Sequence, residues 1–113
     1  MMTAQMPDIR SSKRASRLLP LIRLYESGQA SERMDRTLDK LLSTEEAETK
    51  DTIEQLRADL DQFEQQYGMT SAAFYERFAE GELGDDMEYV TWASLFQMYT
   101  RALNRLHILT EAK

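Results

Sequence analysis

The chain has 113 residues, 30% of them charged, and a net charge of −6, a size suited to one domain with a modest core. It contains no cysteine and one histidine, which excludes disulfides, a Cys/His nucleophile pair and an intrachain zinc cluster. The charge is split: residues 1–42 hold eight Lys/Arg against five Asp/Glu, and residues 43–113 hold six against fifteen. A basic head on an acidic body favours a basic protein partner over nucleic acid for the body.

Residues 1–9 carry Pro7 and no periodic apolar pattern, so residues 1–18 are expected to be a flexible basic segment ahead of a helical domain over 19–113. The apolar stretch Leu18-Leu19-Pro20-Leu21-Ile22 follows Arg10, Lys13, Arg14 and Arg17. It is shorter than the roughly 7–15 apolar residues of a signal peptide and far below the roughly 20 of a membrane span. The expectation is a cytoplasmic protein that does not enter a membrane.

Pro20 is tolerated only in a first helical turn, so a helix is predicted from near Leu19 to Tyr25 or Glu26, stopped by Gly28. Ser31 stands where an N-cap belongs, ahead of Met34, Leu38, Leu41 and Leu42. From Glu32 to Tyr67 there is no Gly and no Pro, and helix formers dominate. Ile53, Leu56, Leu60, Phe63 and Tyr67 step by 3-4-3-4, a seam at coiled-coil spacing. Walked backward, the seam takes in Thr49, Glu46 and Leu42, whereas Leu38 and Leu41 fall out of phase. Either a stutter or a break near Ser43 explains this, and Ser43-Thr44-Glu45-Glu46 has the form of a capping box. One long helix is the preferred reading, because no residue there forbids it.

Gly68 ends that helix, and Thr70 or Ser71 caps a short one over Ala72 to Glu80, with Phe74 and Phe78 one turn apart. Gly81 and Gly84 bracket a turn, and Asp85 or Asp86 opens a last helix to about Leu109. Along it Tyr89, Trp92, Phe96, Tyr99, Leu103 and Leu106 repeat the seam spacing, widened by Leu95, Met98 and Ala102. No segment alternates as a strand does. The fold class is all-α: a long helix and a C-terminal helical hairpin with coiled-coil-like packing, expected as a homodimer that residues 31–50 extend.

No catalytic constellation emerges, and an enzyme is not expected. His107 is a lone helical histidine, the serines lack triad partners, and Gly81 and Gly84 are framed by acids that would repel phosphate. Carboxylates at Glu80, Glu82, Asp85, Asp86 and Glu88 surround a turn but lack EF-hand spacing. Capping and solvated charge account for them, so neither a metal nor a cofactor is expected. With Tyr89 and Trp92 they form the candidate partner-binding set. The aromatics are too poor in nearby basic residues for a base-stacking platform. Arg10, Lys13, Arg14 and Arg17 have the density for phosphate contact, without a helix-turn-helix pattern around them.

Phe74-Tyr75-Glu76-Arg77-Phe78, then Gly81-Glu82-Leu83-Gly84-Asp85-Asp86 and Trp92, resemble a group of small bacterial proteins found in cyanobacteria and archaea and encoded beside toxins. The resemblance covers about residues 66–106 and is weaker over 20–45, where Arg23-Leu24-Tyr25-Glu26-Ser27-Gly28 has a similar form. It implies an antitoxin: an acidic, dimeric, non-catalytic protein that neutralises a cognate toxin by covering a basic surface. It assigns no site residues. The alternative is a nucleic-acid-associated transcriptional regulator using the basic N-terminal segment.

Overall fold

The computed structural model describes residues 12–111. Among them every regular element is a helix: α1 (Lys13–Ser16), α2 (Leu19–Glu26), α3 (Glu32–Tyr67), α4 (Ser71–Ala79) and α5 (Met87–Thr110). Among the described residues, none of these helices is long and apolar enough to cross a membrane. Contacts group the chain into two units, divided between Lys40 and Leu41. The expected boundary after residue 18 falls inside the first unit. Of the expected flexible segment, residues 1–11 and with them Arg10 lie outside the described residues, whereas 13–16 form the single turn α1.

In the first unit the chain's own punctuation sets the helix limits. Ser12 caps α1, its Oγ accepting from the Ala15 amide at 3.2 Å. Pro20 sits in the first turn of α2, where a missing N–H costs nothing. At the other end Gly28 adopts φ +75°, and the Gln29 amide donates back to the Leu24 carbonyl at 2.8 Å. This is a Schellman closure, which needs a residue at ease in the left-handed region. Ser31 then caps α3 by accepting from the Met34 amide at 3.1 Å. The Tyr25 hydroxyl donates to Asp35 at 2.6 Å, tying α2 to α3, and that bond with an anion pushes the phenol up to about 12.

The long helix is unbroken from Glu32 to Tyr67, through Ser43. Its seam is buried from Thr49 onward: Leu60 is wholly enclosed, Leu56 and Thr49 nearly so, and Ile53, Phe63 and Tyr67 are half-buried, whereas Leu42, on the seam walked backward, is exposed. Opposite them runs α5. Tyr67 meets Tyr89, Phe63 meets Trp92, the Arg57 guanidinium lies over Tyr99, and Arg105 reaches Thr49. Numbers fall along α3 as they rise along α5, so the two helices are antiparallel.

The core is aromatic. Trp92 and Phe74 are fully buried and stack face to face, centroids 3.8 Å apart and planes 5° from parallel. Phe63 and Tyr67 also stack against Trp92, each at 5.4 Å. Thus α4 inserts Phe74 against Trp92 of α5, which Phe63 and Tyr67 of α3 also pack against. Farther along α5 only part of the expected stripe is enclosed. Leu103 is 42% exposed and Met98 52%, while Ala102 is buried. Ala102 lies in the wider stripe expected from the sequence and faces inward, whereas Leu103, on the 3-4 stripe, and Met98 face outward.

Candidate protein-binding surface

A buried polar relay fixes the end of the hairpin that carries the acidic turn. Trp92 Nε1–H donates to Ser71 Oγ at 2.8 Å, and the Ser71 amide donates to Glu64 Oε2 at 2.9 Å. Ser71 is the first residue of α4, so Glu64 satisfies one of the amides that a helix start leaves open. Arg57 closes the relay, with Nη2 2.7 Å from Glu64 and 2.9 Å from Asp61. Burial pushes the Glu64 carboxyl up, but the Ser71 hydroxyl and amide and the Arg57 guanidinium outweigh it and hold the group below its usual range. No described buried side-chain polar atom lacks a partner. The aromatic frame is therefore locked in place by hydrogen bonds as well as by packing.

On this frame the chain leaves α4 through Gly81, whose φ of +79° allows Glu82 N–H to donate to the Arg77 carbonyl at 3.1 Å. The turn brings Glu80 and Glu82 together. Hydrogen bonding and repulsion from Glu82, with Glu76 nearby, raise the Glu80 carboxyl above its ordinary value. Arg77 lies 3.5 Å from Glu82 and half exposed. Asp85 is exposed, and Asp86 caps α5 by accepting from the Glu88 amide at 2.9 Å. The Glu88 carboxylate accepts from Gln66 at 3.4 Å and from the Tyr67 hydroxyl, which pushes that phenol up to about 12.

The candidate set from the sequence is thus divided. Glu80, Glu82, Asp85 and Asp86 form an exposed acidic turn. Glu88 is exposed but engaged with α3. Tyr89 is half-buried against Tyr67 and Phe74, and Trp92 has no exposed surface. Trp92 therefore leaves the surface set and belongs to the core. Met87, 76% exposed, and Val90, 39% exposed, lie outside the set marked in the sequence. They are three residues apart on α5, hence on one face, and follow directly from the acidic turn. Their place just outside the 3-4 stripe was the signal that could have found them.

Among the described residues no group of three or more metal-binding side chains is arranged to hold a cation. His107 is exposed in the last turn of α5. In the first unit Lys13, Arg14 and Arg17 are exposed on and just after α1. No protein family, curated protein or solved structure matches the chain.

Proposed function

We propose that the chain is a protein-binding module that masks a basic surface of a partner, as an antitoxin does its toxin, and that it works as a cytoplasmic homodimer. The observation that carries this reading is the exposed turn after α4, on which Glu80, Glu82, Asp85 and Asp86 stand together. Like charges held together gain most when a cationic surface arrives. Met87 and Val90 supply apolar contact beside them, in keeping with the enrichment of methionine and the depletion of charge at interface centres. The acidic balance of residues 43–113 would steer the encounter.

Co-expression with the product of the adjacent gene tests it. The expected result is a stable complex and relief of that product's toxicity. Glu80→Gln with Glu82→Gln should slow association about tenfold at low salt, with the difference fading as salt rises. Absence of both complex and relief would overturn the reading.

A second reading draws on the exposed Lys13, Arg14 and Arg17, a cluster suited to backbone phosphates. It expects salt-dependent retention on DNA that Arg14→Ala with Arg17→Ala abolishes. Retention indifferent to those substitutions would dismiss it.

A further inference from the structure

Among the described residues the first unit has an apolar groove that none of them fills. Its lining is Leu18, Leu21, Ile22, Tyr25, Glu26 and Leu38, and Leu18, Ile22 and Tyr25 are 48%, 41% and 39% exposed. None of the 29 described residues from Ser12 to Lys40 is buried. Units below about 40 residues without disulfides or metals usually gain a core by oligomerising.

What fits the groove can be read from the order of residues around it. Arg17 and Leu18 hold right-handed helical angles directly ahead of α2, and the Leu18 carbonyl accepts from the Ile22 amide at 2.9 Å, so Leu18 continues the face of α2 and Arg17 stands in the turn just before it. The stretch reads Arg17-Leu18-Leu19-Pro20-Leu21-Ile22-Arg23-Leu24-Tyr25-Glu26. Turned end for end about the Leu21–Ile22 bond, Leu21 falls on Ile22, Leu19 on Leu24, Leu18 on Tyr25 and basic Arg17 on acidic Glu26, while Pro20 falls on Arg23. Leu18, Leu21, Ile22 and Tyr25 share one helix face, being three or four residues apart. Among the described residues neither Arg17 nor Glu26 makes an ion pair. A two-fold axis makes an interface self-complementary, with i meeting j and j meeting i.

We propose that this face is where two copies of the chain meet, their α2 helices antiparallel, with Arg17 of each copy against Glu26 of the other. The inference rests on the dimeric part of the reading above and gives it a surface. The Tyr25–Asp35 hydrogen bond anchors the Tyr25 side chain to α3, so one rotor of the interface is already ordered before association. A face of about three turns makes an interface at the small end of the range, so dissociation in about the micromolar range is expected.

Sedimentation equilibrium of the full chain, wild type and charge variants, tests it. The wild type should dimerise. Arg17→Glu alone places two acids opposite each other, and Glu26→Arg alone two bases, so each should weaken the dimer about tenfold. Mixing the two variants in equal amounts should restore a dimer of wild-type strength, because both pairs in the mixed species are again opposite in charge. In a parallel arrangement the wild type already sets like charges opposite each other, so the single variants would lose nothing and the mixture would dimerise more tightly than the wild type. Both sites are exposed, and circular dichroism verifies that the variants stay helical. A wild-type dimer indifferent to these changes would overturn the α2 interface and leave the dimeric reading standing. A chain that stays monomeric to about 1 mM would overturn both, leaving the groove to residues 1–11 or to a foreign protein.

Discussion

Ser71 joins the three helices of the hairpin, accepting from Trp92 and donating its amide to Glu64. Ser71→Ala removes a small hydroxyl and leaves the indole N–H buried without an acceptor. An unsatisfied buried donor costs about 1–3 kcal/mol, so urea unfolding should show a loss of that size. The one tryptophan makes its emission a direct reporter of this core. Glu64 adds a pH dependence. Its carboxyl is held below its unfolded value, so the stability it contributes is complete above about pH 4.5. That contribution is lost as pH falls through the depressed native value. Glu64→Gln should therefore flatten the acid limb of Tm against pH. Tyr67 acts at the other extreme: raised to about 12 by Glu88, it contributes stability that is present below about pH 10 and declines as pH rises through its native value. Tyr67→Phe should remove that alkaline decline.

The elements differ in how far their sequence reveals them. The limits of α2 follow from Pro20 and Gly28, the start of α3 from Ser31, and the seam of α3 from its 3-4 spacing, because each of these is local chemistry. The continuity of α3 through Ser43 is legible too, since no residue there opposes it. Which side of the widened α5 stripe is enclosed, Ala102 rather than Leu103, depends on how α5 is rotated against its neighbours, which spacing alone leaves open. The relay from Glu64 to Ser71 to Trp92 spans residues 7 and 21 apart, and only the packed hairpin brings them together. For the same reason the sequence could mark Trp92 as a binding residue although the fold encloses it. Two substitutions should separate seam from surface in chemical denaturation. Leu60→Ala, at a fully buried site, should cost about 2–5 kcal/mol. Leu103→Ala, on the exposed side, should stay within about 0.5 kcal/mol.

At the scale of the whole molecule, charge and scaffold have separate tasks. The hairpin of α3 and α5 with α4 supplies a rigid aromatic frame, and the turn beyond α4 displays carboxylates whose number exceeds what capping requires. Among the described residues, the one ion pair on that turn is Arg77 with Glu82. Raising salt should therefore change association with a basic partner far more than it changes unfolding, since exposed charges are screened and the stacked rings are not. All of this depends on antiparallel pairing of α3 with α5. The most direct check is a proton NOE spectrum of the full chain, read at the Trp92 indole. The account predicts cross-peaks from that ring to both Phe74 and Phe63, whose centroids lie 3.8 and 5.4 Å away. An indole that shows cross-peaks only to its own neighbours on α5 would contradict it.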